Sequence, residues 1–189
     1  MHRLDKDTSG VLILAKTAAA AAQLATAFRG SAVRKQYFAL LTGHLEGPQE
    51  GLWSDIIQLG SDGRSHILPA GSSVAGGKTA KARFTVVECF AAAGATAVRL
   101  LPTTGRLHQL RAQAAARGAP ISGDDRYGNR DNARPTSPAV PRLCLHCESL
   151  ELPHPALPDE LLQLRAALPD DILIYADWLR AGGGATVKL

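Results

Sequence analysis

The chain has 189 residues, 46% of them hydrophobic and 20% charged, with a formal net charge of +4. These values predict one globular domain over 1–189 with enough apolar residues for a real core. No apolar run reaches the roughly 18 residues of a membrane span, Met1-His2-Arg3-Leu4-Asp5 does not read as a secretory signal, and three cysteines do not suggest a disulfide framework.

Gly10–Ala15 is a continuous apolar run and predicts a buried strand. Thr17 then caps an alanine-rich helix that runs to Phe28 and stops at Gly30. Lys35–Leu41, with Tyr37, Phe38 and Leu40, predicts a second strand. Gly43–Gly51 reads as a turn region. The glycines at 60, 63, 71, 76 and 77, with Pro69 among them, predict a loop-rich, mobile stretch. Thr79–Phe90 alternates polar and apolar residues, as a half-exposed strand does, and Ala95–Leu101 is its hairpin partner across Ala91–Gly94. A helix is expected from Thr104 to about Arg117, stopped by Gly118 and Pro120. A proline-rich loop over Pro135–Pro141 precedes a strand at Leu143–Leu152. Helical patterns follow at Asp159–Ala167 and Asp170–Leu179, and a tail is expected over about 182–189. The sum is an α+β class: a mixed, mainly antiparallel sheet with flanking helices.

Charge is unevenly spread. Residues 1–35 hold six Lys/Arg against two acids, whereas 148–189 hold three against seven. Such a gradient would orient a polyanion toward the N-terminal part, although a basic balance alone is no more than even odds for nucleic acid.

Three segments carry candidate chemistry. His2–Gly10 places Asp5 in a short polar loop at the mouth of a strand, where Thr8 and Ser9 could fix the loop by hydrogen bonds. Residues 35–40 put Tyr37 on a strand. In Gly105–Arg111 a helical spacing would set Leu107, His108 and Arg111 on one face, so that Arg111 lies among apolar side chains and needs an anion such as Asp5. On the residues alone, plainer readings also stand: a polar turn, a core tyrosine and a surface arginine lying along an amphipathic helix. Cys144 and Cys147 have no second cysteine pair at zinc spacing and would point to opposite faces of a strand, so no metal site is expected.

Taken together and in order, these blocks are familiar. His2–Gly10 resembles the HRLD-x-x-TSG signature of the RluA-like RNA pseudouridine synthase family, and Lys35–Leu40 resembles its K-x-Y-x-A-L segment. Gly105–Arg111, the following Gly118-Ala-Pro-Ile-Ser-Gly-Asp124 and Tyr127-Gly128 resemble its GR-x-HQ-[IL]-R and G-x-P-I-x-GD blocks. Arg142-Leu-Cys-Leu-His146 and His154-Pro155 resemble its late strand.

The resemblance implies isomerisation of specific uridines in structured ribosomal or transfer RNA, without metal, redox cofactor or nucleotide. It implies Asp5 as the carboxylate that forms an adduct with the nucleoside, Tyr37 against the base, and Arg111 as the partner of Asp5. Arg3 would hold the nucleotide flipped from its stack, and His2, Thr8, Arg106, His108 and Gln109 would complete the substrate contacts. A cytoplasmic monomer is expected.

Two departures from the family pattern carry expectations. Family members have a longer segment before the first motif, with a strand and a Lys-Pro turn near the active site, whereas only Met1 precedes His2 here; an unpaired edge and an open cleft wall should follow. Ala112-Gln113-Ala114 replaces the usual Val-His-Leu, which should weaken packing or RNA contact. Two other functions compete: an RNA-binding or folding-assisting domain without activity, and a hydrolase using Asp5 and His108. The latter lacks a completed nucleophile–base set.

Overall fold

The computed structural model describes residues 3–30, 32–69, 71, 75–128, 140–157 and 159–183. His2, most of the proline-rich loop and the tail from 184 onward lie outside the described residues.

The chain opens with β1 (Ser9–Gly10), α1 (Ala18–Arg29) and β2 (Arg34–Thr42). Two hairpins follow, β3 (Glu50–Leu59) with β4 (Ser65–Leu68), and β5 (Lys78–Phe90) with β6 (Ala95–Pro102). Next come α2 (Gln109–Ala115), β7 (Leu145–Pro153), β8 (Leu161–Arg165) and α3 (Asp170–Arg180). All eight strands form one sheet in the order β1-β7-β2-β6-β5-β3-β4, with β8 also on β7. Only β1 and β7 run parallel among the described pairs; the rest are antiparallel. This is the expected mixed, mainly antiparallel α+β architecture.

Strand β2 lies inside the sheet between β7 and β6, and its Phe38–Leu41 are buried in succession because both faces are covered. Its main core joins Leu40, Leu100 and Trp53 to Leu110 and Ala114 of α2 and to Ile172, Tyr175 and Leu179 of α3. A second cluster joins Leu24 of α1 to Val11, Cys147, Leu150 and Leu152. Cys144 falls in the first cluster and Cys147 in the second, as residues three apart along an extended chain should. Thr17 caps α1 by accepting from the Ala20 N–H at 3.2 Å, and the Gly30 N–H closes it on the Thr26 carbonyl at 3.1 Å.

Four elements differ from the sequence reading. Gly10–Ala15 is no buried strand: pairing is confined to Ser9–Gly10, because β8 takes the edge of β7 from Ser149 onward. Val11 and Ile13 turn inward while Leu12 and Leu14 are exposed. The stretch beyond Gly43 contains two strands, β3 and β4; Gly60 and Gly63 mark the turn between them, closed by a bond from the Gly60 N–H to the Arg64 carbonyl at 2.8 Å. Asp159–Ala167 is strand β8, not a helix. Its Leu161-Leu162-Gln163-Leu164 run satisfies either period, and pairing to β7 decides it. Finally, α2 starts only at Gln109. Residues 103–108 form a loop fastened to β5, with the Thr103 N–H and the Gln109 side-chain amide both donating to the Lys81 carbonyl.

The Ala112-Gln113-Ala114 departure is absorbed in the core. All three are buried, and Gln113 donates to Asp55 at 2.6 Å and to the Ala80 carbonyl at 3.2 Å. Alanine lets the short helix lie close against the sheet, and the glutamine amide is satisfied there.

Candidate active site

Asp5 sits in a tight turn in which the Thr8 N–H donates to the Asp5 carbonyl at 3.1 Å. Asp7 takes a left-handed conformation, φ 67°. The turn is fastened to β7 by its following residues. A Cβ on Gly10 would stand 2.2 Å from the Cys147 carbonyl oxygen, and φ there is +115°, so only glycine fits. His146 Nε2 lies 3.2 Å from the Ala166 carbonyl, which can only accept. Nε2 therefore donates to it, and Nδ1 lies 2.8 Å from the Ser9 hydroxyl. Arg142 Nη1 donates to the Asp7 carbonyl at 3.2 Å while its other nitrogens hold Asp171 at 2.8 and 3.1 Å. Thr8 does not share this work: its Oγ1 is buried without a hydrogen-bond partner among the described residues.

Arg111 is buried, as its apolar neighbours on α2 implied, but its bidentate partner is not Asp5. Its Nε and Nη2 each donate to Asp124 at 2.7 Å. Asp124 is fully enclosed and also accepts from the Arg126 and Tyr127 N–H groups at 2.9 and 3.0 Å. Arg111 Nη1 remains free to face Asp5, 4.0 Å from Oδ2. The Tyr127 ring lies 5.3 Å from the guanidinium carbon. Burial opposes the charge on Arg111; Asp124 outweighs it and raises the guanidinium pKa further. Asp124 was part of a recognised block but not among the candidate site residues. The signal for it was a carboxylate ending a Gly-Asp turn soon after a helix that carries a buried arginine.

His108 is also differently placed than helical spacing suggests. It precedes α2 with φ 49°, and its Nδ1 lies 3.1 Å from the Tyr127 hydroxyl. That hydroxyl already accepts from the Ser65 N–H at 2.7 Å. Burial lowers the His108 pKa; Asp5 pulls the other way, and Arg111 adds to the lowering.

Asp5 opens onto a cavity of about 400 Å³ lined also by Arg3, Thr8, Tyr37, Arg106 and Gln109. Tyr37 and Lys35 share one face of β2, two residues apart, and both line it. Burial, then Cys147 and Asp5, push the Tyr37 phenol far above its usual range, so it is a neutral donor. Arg106 is exposed, with Nε donating to the Thr79 carbonyl at 3.0 Å. Gln109 is buried, and its amide is spent within the protein: Oε1 accepts from Thr104 and the Arg106 N–H, and Nε2 donates to Lys81 and Gln113. It holds the 103–108 loop. The structure thus gathers Asp5, Arg3, Thr8, Tyr37, Arg106 and Gln109 around one cavity; His108 and Arg111 line a neighbouring one, from which Arg111 faces Asp5, with Asp124 behind it.

Comparison with known proteins agrees with this fold. The family model for RNA pseudouridylate synthase matches residues 1–116. Ribosomal large subunit pseudouridine synthase C of Vibrio cholerae serotype O1 is 35% identical over 169 residues, which is 89% of this chain and 51% of that protein. Its counterpart from Escherichia coli K12 is 36% identical over 179 residues, 91% of this chain and 53% of that protein. The chain spans about half the length of the curated relatives it matches. Among solved structures, human RNA pseudouridylate synthase domain containing 4 superposes with a TM-score of 0.77 at 26% identity, over 95% of this chain and 74% of the other. Human RNA pseudouridylate synthase domain containing 1 gives 0.72 at 29% identity, over 95% and 79%. The chain belongs to the RNA pseudouridylate synthase family.

Proposed function

We propose that this protein isomerises uridine to pseudouridine in large-subunit ribosomal RNA, with Asp5 forming a covalent adduct with the target nucleoside. The observation that carries this reading is the Asp5 carboxylate on the cavity wall, 4.0 Å from an arginine whose other edge is locked on a buried aspartate. A carboxylate held this way faces Arg111 without being tied up by a close bidentate pair. It is free to bond carbon. The bond between C1′ and N1 breaks, one between C1′ and C5 forms, the C5 hydrogen leaves as a proton, and N1 gains one. Atoms and electrons balance, so the reaction requires no external electron donor or acceptor.

The neutral Tyr37 phenol lies on the same wall, against the flipped base. Arg3 and Arg106 are the exposed cations that meet the RNA backbone at the cavity rim. The ribosomal target follows the names of the curated relatives. A uracil stacked in a helix could not enter this cavity, so a flipped or looped-out nucleotide is the form that binds.

Tritium release from RNA labelled at uridine C5 tests the reading. Wild-type protein should release tritium from unmodified ribosomal RNA, and Asp5→Asn should release it at less than about one-thousandth of that rate while still binding the RNA. Binding without release by either protein would replace the isomerase with an RNA-binding domain.

A further inference from the structure

Three cations line the cavity, Arg3, Lys35 and Arg106, against the single lining carboxylate of Asp5. Arg3 and Arg106 reach solvent, but Lys35 is half-buried. Among the described residues its ammonium has neither a hydrogen-bond acceptor nor a carboxylate within ion-pair distance. The ionisable groups beside it do not compensate it. Tyr37 and Cys147 are both held neutral by burial, their pKa values raised. Asp5 faces Arg111 instead. Lys35 spans from β2 to the 103–108 loop, where its Nζ would lie 3.5 Å from a Cβ at position 105; glycine there leaves the ammonium open. Burial lowers the Lys35 pKa, as expected of a cation waiting for an anion.

We propose that Lys35, beneath Gly105, seats a phosphodiester of the nucleotide whose base enters the cavity. The proposal rests on the reading of this cavity as the RNA site. Uracil and ribose carry no formal charge, so the phosphodiester is the one anion of the substrate that can neutralise a half-buried ammonium. The contact is a phosphate contact made inside the cavity, which anchors the target nucleotide itself. Rim arginines position the surrounding strand. Gly105 leaves the face of the ammonium toward the loop uncovered, where a Cβ would lie in van der Waals contact at 3.5 Å.

Lys35→Met keeps the length and removes the charge; Lys35→Arg keeps the charge. The probe is an unmodified transcript of large-subunit ribosomal RNA, with its dissociation constant measured over a range of KCl and tritium release followed in parallel. Lys35→Met should bind about tenfold more weakly at low salt. Its plot of log affinity against log salt should lose about 0.7 in slope, the share of one phosphate on a single strand. Lys35→Arg should restore the slope, and release at low RNA should track binding in each variant. An unchanged slope with slowed release at saturating RNA would assign Lys35 to Asp5 and overturn the proposal, as would no change in either. If wild-type protein binds RNA but releases no tritium, the isomerase reading fails while the slope still decides Lys35. If Lys35→Met does not fold, Lys35→Gln makes the same comparison.

Discussion

The two sides of the cleft are built on different terms. On the Arg111 side the buried carboxylate is saturated within the protein: Asp124 takes four donors, Arg111 gives two of them, and Tyr127 connects Ser65 to His108. On the Lys35 side an ammonium and the Thr8 hydroxyl have none among the described residues. Saturated networks hold a geometry; unsaturated groups mark where a ligand completes it. The contrast separates the residues that set the position of Asp5 from those proposed to meet RNA, and it can be tested from either side.

The largest stability effect is expected on the saturated side. Asp124→Asn removes the one carboxylate among the described residues that Arg111 engages at hydrogen-bond distance and leaves the buried guanidinium only Asp125 at 3.7 Å and Asp5 at 4.0 Å. Destabilisation of about 3–5 kcal/mol should follow, read by chemical denaturation. Activity should fall more than the folded fraction explains, because Arg111 would turn toward Asp5 and tie it up. A variant as stable as wild type would mean that the network does not set the geometry.

A smaller but still large effect is expected where the motif loops meet β7 and the segment just before it. Gly10 and Gly123 both press on that stretch: a Cβ would fall 2.2 Å from the Cys147 oxygen at one and 2.0 Å from the Arg142 oxygen at the other. Both have positive φ, +115° and +77°. Gly10→Ala should cost about 2–4 kcal/mol, from strain plus the displaced Asp5 loop. The check is a melting curve beside an RNA-binding curve. A melting temperature within about 1 °C of wild type would show that the loop moves away from β7 without cost.

These contacts also mark what the sequence made legible. The motif blocks singled out Asp5, Tyr37 and Arg111 because each block is local; Asp5 and Tyr37 line one cavity, and Arg111 faces Asp5 at 4.0 Å. The mate of Arg111 was not legible. Asp5 and Asp124 lie on opposite sides of it in sequence, and only the turn after α2 makes Asp124 the near one. The helical spacing that grouped His108 with Arg111 failed because His108 takes a left-handed conformation before the helix begins. The strands β3 and β4 were hidden by turn glycines on either side. β8 was hidden by a leucine run whose period is ambiguous until β7 offers its edge. For the mate of Arg111 and for β8 the missing information was a tertiary pairing, and for His108 a local backbone conformation; composition and spacing encode neither.

The smallest effect lies at the join between the two sides, on His108. The Tyr127 hydroxyl accepts from Ser65 and has its hydrogen available for His108 Nδ1, which a neutral ring can accept. Burial keeps it so, lowering the pKa below the ordinary 6.5; Asp5 and Asp124 oppose that shift, and Arg111 and Arg126 support it. In the unfolded chain His108 binds a proton at higher pH than in the fold. Its contribution to stability is therefore complete above 6.5 and is lost as pH falls from there through the lowered folded value. His108→Asn tolerates the left-handed backbone and does not titrate. Denaturation midpoints above and below 6.5 should converge in this variant relative to wild type. Equal pH dependence in the two proteins would remove His108 from the saturated network and leave the Tyr127 hydroxyl to another acceptor.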